Sequence, residues 1–307
     1  IYIIWAICTA GWGSALYFLL LAAGMPAFGI AICEVLLVAS GVYYLVKKVL
    51  SSTAFESTLL PTSTLVGAAI ISWVMVVSTP SHNVPYGGWD AWAIWNLHAK
   101  YLADCNHWQN MFLNVRHGHP DYPLLVPGFS GMIARMLPAI GVELPAYFWS
   151  ISIAIVIPVL LWLALRPKGL LVPAWAAYVI VTSPYYLTQA AAMYADMTLA
   201  AFLLAAILSL KLLPKGDVQV IVSALCLGCC VWTKNEGAIL AGLFVLFHWR
   251  ALLPEKRWPR LVAGLSLPIA AWCFLKGLYA PANDMATGLS AATLQQLTNW
   301  QRYSTIW

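Results

Sequence analysis

The chain reads as an all-α, polytopic transmembrane helical protein, on three observations. Hydrophobic residues make up 62% of its 307 residues, only 9% are charged, and the mean hydropathy is +0.80; soluble domains carry roughly 25% charged residues. Apolar runs recur at about the length needed to cross roughly 30 Å of hydrocarbon. Lysine and arginine gather in alternate short loops between those runs, which puts them on one side, as on the cytoplasmic side of a membrane.

Taken in order, the runs predict spans at about 1–22, 27–49, 62–79, 145–165, 170–189, 193–213, 217–233, 237–250 and 258–280. The first lacks a charged leader and a small-residue cleavage site, so it reads as a span and not a signal peptide. A chain that begins at Ile1 and stops at Trp307 reads as a fragment of a longer one. Lys47 and Lys48, Arg166 and Lys168, Lys211 and Lys215, and Arg250, Lys256, Arg257 and Arg260 fall in four loops that one topology places inside. The stretch 123–140 is apolar but holds Pro127, Gly128, Gly131 and Arg135. A full crossing there would move Arg166 and Lys168 outside, so a re-entrant or interfacial helix is expected. The count is thus about nine or ten spans, with interfacial helices in the first large outer loop. The organisation that follows is 1–80 as N-terminal spans, 81–122 as an extracytoplasmic loop, 123–280 as a transmembrane core, and 281–307 as an outer tail or lid.

That topology puts Asp90, Asp104, Asp121, Asp196 and Glu236 on the outer side, from segments far apart in the chain. Ionisable groups near a membrane are costly and face a cavity or a partner. Trp89, Trp92 and Trp95, followed by His98 and Tyr101, form a stripe expected to anchor a short interfacial helix, because indole has an apolar body and a polar N–H. Asp90 between two tryptophans reads as a catalytic acid or base, or as a helix N-cap. His117-Gly118-His119-Pro120-Asp121-Tyr122-Pro123 is a stiff turn in which His119 and Asp121 could take a divalent cation (Mg, Mn or Zn). Asp196 opens a helix, where the dipole favours its charge. In Thr233-Lys234-Asn235-Glu236-Gly237, Lys234 either pairs with Glu236 or offers its ammonium to a lipid phosphate. Arg116 and Arg302 are further phosphate candidates, Tyr303 lies beside the latter in the tail, and Glu34 lies inside the second span.

The seven cysteines imply no disulfide framework. Cys226, Cys229 and Cys230 lie in an apolar run and read as small packing residues. The net charge of +5 comes without a basic run interleaved with aromatics, so nucleic acid is not an expected partner.

Together Trp89-Asp90, His119 to Leu124, Pro184 through Asp196 and Thr233 to Gly237 resemble the GT-C glycosyltransferase superfamily, in particular its protein O-mannosyltransferase-like and aminoarabinose-transferase-like members. The resemblance runs over about 62–280. It implies a GT-C-like fold and a polyprenyl-phosphate-linked sugar as donor. It also implies inverting transfer to a protein, lipid or glycan acceptor at the extracytoplasmic face of a bacterial inner membrane. On it Asp90 is the first-loop catalytic Asp, Asp196 the second outer acid, Asp121 (before Tyr122) the acid near a metal or donor phosphate, and Lys234 the lysine of the lipid cavity. The chain departs from the pattern: two spans precede the one leading into the Asp90 loop, Ala91 stands where relatives often carry a second acid, and the C-terminal soluble domain of some relatives is not found in this stretch. Two other classes compete, a transporter or lipid flippase, for which no inverted repeat is visible, and a non-catalytic membrane subunit whose carboxylates would point apart.

Overall fold

The computed structural model describes residues 2–26, 29–30, 32–33, 36, 62–78, 86–113, 118–253, 257–281 and 300–301. Among the described residues every regular element is a helix. They are α1 (Tyr2–Ala22), α2 (Thr62–Ser78), α3 (Asn96–Ala103), α4 (Leu125–Met136), α5 (Glu143–Leu165), α6 (Leu171–Val181), α7 (Pro184–Ala192), α8 (Ala195–Leu212), α9 (Asp217–Thr233), α10 (Asn235–Phe247), α11 (Trp249–Leu252) and α12 (Trp258–Phe274). Among the described residues, four stretches are long and apolar enough to cross a membrane by length and composition: Ile3–Ala22, Glu143–Lys168, Ala195–Leu212 and Trp258–Tyr279. Four shorter apolar helices accompany them. Most of the predicted 27–49 span lies outside the described residues, as do Glu34, Arg116, His117, Arg302 and Tyr303.

Helix α9 is the hub. It packs on α12, α8, α10, α1 and α4, and nearly all its residues from Gln219 to Thr233 are buried. Small residues make the contacts close: a Cβ on Gly264 of α12 would lie 2.6 Å from the Ala224 methyl of α9, and one on Gly228 would lie 3.1 Å from Pro268. Approach of this kind drives helix association where burial from water cannot. Cys226, Cys229 and Cys230 are buried and free, facing Cys8 of α1, as small packing residues should be.

Two expectations need correction. The predicted span 170–189 is broken into α6 and α7 at Thr182-Ser183-Pro184. A residue before proline is pushed out of the α region, and Ser183 takes an extended conformation and accepts the amide of Tyr186 as the N-cap of α7. The stripe Trp89-Trp92-Trp95 is not one face. Three-residue steps fall about 60° short of a full turn on an α-helix, and the π-turn over Ala91–Trp95 changes the winding further. Trp89 and Trp92 are 61% and 54% exposed, whereas Trp95 is 1% exposed and His98 is buried with it.

Helix α4 has 12 residues and rises about 18 Å, too short alone to cross the hydrocarbon. Its first residue, Leu125, packs at Gly11 and its fourth, Gly128, against Ser14 of α1; Gly131 sits against Ala99 and Leu102 of α3. Arg135 near its far end lies over the Tyr17 ring. The helix therefore starts beside the middle of α1 and climbs back toward the end from which the chain came. Ser14 Oγ donates to the Leu124 carbonyl at 3.0 Å and accepts from Trp232 Nε1 at 3.2 Å. The Leu124 carbonyl also accepts the Gly128 amide at 2.7 Å, so the entry to α4 is tied to α1 and α9 by bonds made within the protein.

Candidate functional site

The segments that carry Asp90, Asp121 and Asp196 meet at one end of the bundle. The loop Tyr86–Asp90 docks on the turn between α7 and α8. The Gly88 amide donates to the Ala192 carbonyl at 3.0 Å, and Asn96 Nδ2 donates to the Tyr86 carbonyl at 3.1 Å. Ala91 packs on Met193, Ala146, Tyr147 and Tyr194. Gly88 must be glycine, because a Cβ there would run into the Tyr194 hydroxyl. Two residues after Tyr194, in the first turn of α8, comes Asp196. Its carboxylate accepts from Lys234 Nζ at 3.0 Å. Lys234 thus pairs with Asp196 and not with Glu236, which is exposed in the first turn of α10.

Lys234 also stands 5.9 Å from the centroid of the Tyr122 ring. That ring is stacked between two others, Trp95 at 5.6 Å and His119 at 5.0 Å. Beside it, buried Asp121 accepts from Asn235 Nδ2 at 2.8 Å, and its carboxylate lies 3.5 Å from Lys276 Nζ, which also donates to its carbonyl. The contacts close a ring: the Asp90 loop, the α7–α8 turn, Asp196, Lys234, Tyr122, and back through Trp95 to the loop. Tyr86, His119 and Met193 adopt positive φ (72°, 45° and 59°). Left-handed backbone is uncommon outside glycine and clusters at functional sites.

The carboxylates differ in one respect that matters for chemistry. Asp121 and Asp196 each hold a lysine. Asp104 is bound locally, to His107 at 3.0 Å and to the Asn106 amide, which hold its pKa below the usual carboxylate range. Asp90 is half-buried and makes no hydrogen bond or ion pair among the described residues. It does not cap its helix: its backbone is already helical and its side chain makes no capping bond.

His98 is buried, and neither ring nitrogen makes a hydrogen bond among the described residues. Burial pulls its pKa down to about 4; nearby Asp121 and the Gly118 backbone oppose that, and His119 adds to it. No group of three His, Cys, Asp or Glu among the described residues could hold a metal ion. His119 is engaged with Tyr122, and a lysine already neutralises Asp121. No step below uses a divalent cation.

Sequence reasoning missed Lys276, Asn235 and the burial of His98. Lys276 carried a usable signal, a single cation near the end of an otherwise apolar run. Comparison of the chain with models of known families, with curated proteins and with solved structures gave no match.

Proposed function

We propose that the chain is a GT-C-type inverting glycosyltransferase of a bacterial inner membrane, with about nine or ten spans. It would move a sugar from a polyprenyl-phosphate donor to an acceptor at the extracytoplasmic face. The observation that supports this reading best is the contrast among the acids. A general base must be free to take a proton. Neither Asp90 nor exposed Glu236 has a side-chain partner among the described residues, but Asp90 is half-buried within the ring, while Asp121 and Asp196 are neutralised by lysines.

In the proposed step the acceptor O–H (or N–H) gives its proton to Asp90, and the acceptor atom attacks the anomeric carbon from the side opposite the phosphate. The bond from that carbon to the phosphate oxygen breaks, and its electron pair leaves with the polyprenyl phosphate. The departing charge is met by Lys234, whose side chain is only 12% exposed and so acts in a poorly screened setting. Asp196 orients Lys234, and Asp121 with Asn235 holds Lys276 at the same end. Trp89 and Trp92, exposed beside Asp90, provide aromatic faces for the sugar or for lipid.

The test is Asp90→Asn in a transfer assay with a polyprenyl-phosphate sugar. Turnover should fall on the order of 10²-fold or more, with elution and melting temperature unchanged, and Asp90→Glu should recover part of it. Wild-type turnover in Asp90→Asn overturns the assignment.

A further inference from the structure

Three helix ends are tied together at the end of the bundle opposite the ring of acids. Gln219 Nε2, in the first turn of α9, donates to the Leu210 carbonyl near the end of α8 at 2.7 Å. Arg260, in the first turn of α12, meets Asp217, the first residue of α9, at 2.7 Å. Those two contacts gather four cations around one acid. Lys211 follows Leu210 in the last turn of α8, Lys215 lies two residues before Asp217, and Arg257 stands one helical turn before Arg260 as the N-cap residue of α12. Asp217 is taken by Arg260. Lys211, Lys215 and Arg257 make no hydrogen bond or ion pair among the described residues, and both lysines are exposed. The sequence just before Arg257 adds one acid and one cation, Glu255 and Lys256, which leaves the excess of positive charge as it is. Exposed Leu212, Val218 and Trp258 stand among these cations.

We infer that this cluster binds the headgroups of anionic glycerophospholipids, with Lys211, Lys215 and Arg257 on phosphodiester oxygens. Three observations select a lipid over a soluble anion. Position comes first. The stretches Ala195–Leu212 and Trp258–Tyr279 are long and apolar enough to cross a membrane, so cations at the end of the one and the start of the other lie at headgroup depth. Composition comes second. A soluble anion on the lysines would leave Leu212, Val218 and Trp258 facing water, whereas a lipid covers the aliphatic pair with its acyl chains, and the indole takes the interfacial level that tryptophan favours. Charge is the third. Basic clusters at the ends of spans attract anionic lipid, and Lys211, Lys215 and Arg257 have no ion pair to break before they engage it. The inference rests on α8 and α12 as spans and not on the proposed glycosyl transfer, so either can fail alone.

The experiment is electron paramagnetic resonance of spin-labelled lipids around the full chain, reconstituted in phosphatidylcholine nanodiscs. Spin-labelled phosphatidylglycerol should be held at the protein about fivefold more strongly than spin-labelled phosphatidylcholine, the factor expected for one cation at an anionic headgroup. Salt at about 1 M, where the Debye length is about 3 Å, should shrink that ratio. Lys215→Gln/Arg257→Gln should bring it close to unity. Arg166→Gln/Lys168→Gln removes the same charge from the turn after α5 and should keep most of the preference. Should Arg257→Gln disturb the start of α12, Lys215→Gln alone decides, because it lies in the exposed link between α8 and α9; it should lower the ratio at least twofold. Equal retention of the two lipids by the wild type overturns the inference. So does an unchanged ratio in Lys215→Gln, or an equal loss in Arg166→Gln/Lys168→Gln, which would trace the preference to the charge of the whole end and not to this cluster.

Discussion

His98 is a neutral imidazole held where a charge would be costly. Its pKa in the folded protein, about 4, lies below the ordinary 6.5 of an unfolded chain. A group whose folded pKa is depressed stabilises the fold fully above the unfolded value and loses that contribution as pH falls toward the folded one. Stability should therefore drop by about 2 kcal/mol from pH 7.5 to pH 5 and by about 3 kcal/mol below pH 4. Unfolding of the detergent-solubilised protein across that range checks it. His98→Gln should flatten the profile, and an equally steep profile in that variant would assign the acid sensitivity elsewhere. Sequence alone placed His98 on an interfacial stripe, but steps of three residues drift by about 60° each on an α-helix, so Trp89 and His98 could not share a face. The π-turn at Ala91–Trp95 alters the winding further, and no residue in Ala-Trp-Ala-Ile-Trp announces it. Lysine partners were equally hidden. Lys234 has Glu236 two positions away in sequence, yet it pairs with Asp196, 38 residues away, because α9 and α8 lie side by side.

At the scale of elements, legibility followed the apolar runs. The apolar runs at 193–213, 217–233 and 258–280 are helical, as α8, α9 and α12, the last prolonged by the π-turn Leu275–Tyr279; the first and last are long enough to cross a membrane, and α9 is shorter. Length and hydropathy fix such helices without tertiary information. The break at Ser183-Pro184 was legible in principle, since serine before proline is both a cap and a stop, but the surrounding apolar residues masked it. What the runs could not reveal is which helix faces which. The contact between α9 and α12 depends on Ala224 and Gly228 meeting Gly264 and Pro268, a pattern of small residues four apart that reads as unremarkable composition until the partner is known. It yields a prediction. Gly264→Leu places a branched side chain where a single Cβ already lies 2.6 Å from Ala224. Overpacking of this kind costs about 1–3 kcal/mol, so the melting temperature in detergent should fall. Gly242→Leu, where a Cβ meets nothing within 4 Å, should leave it unchanged.

Across the whole molecule, charge is sorted by end. Asp196 begins α8 and Lys211 closes it; Glu143 begins α5 and Arg166 and Lys168 follow it. Helix α12 starts beside Arg257 and Arg260, and Arg260 meets Asp217 of α9 at 2.7 Å, while the opposite ends of these two helices carry Lys276 and Lys234 to the ring of acids. Antiparallel neighbours thus bring one kind of loop to each end, and the bundle separates a basic end from the end that carries Asp90. In a bilayer that asymmetry sets orientation, because lysine and arginine near span ends are retained on the cytoplasmic side. The consequence can be measured in whole cells with the cysteines outside the core, Cys33, Cys105 and Cys273, replaced by serine. Gln109→Cys lies in an exposed stretch on the Asp90 side and Lys168→Cys in the exposed turn after α5. A membrane-impermeant maleimide should label Gln109→Cys in intact cells and Lys168→Cys only after permeabilisation. The reverse pattern would put Asp90 in the cytoplasm, where an extracytoplasmic transfer is impossible. Labelling of both positions in intact cells would mean that the charge sorting along α5, α8, α9 and α12 does not correspond to two sides of a membrane.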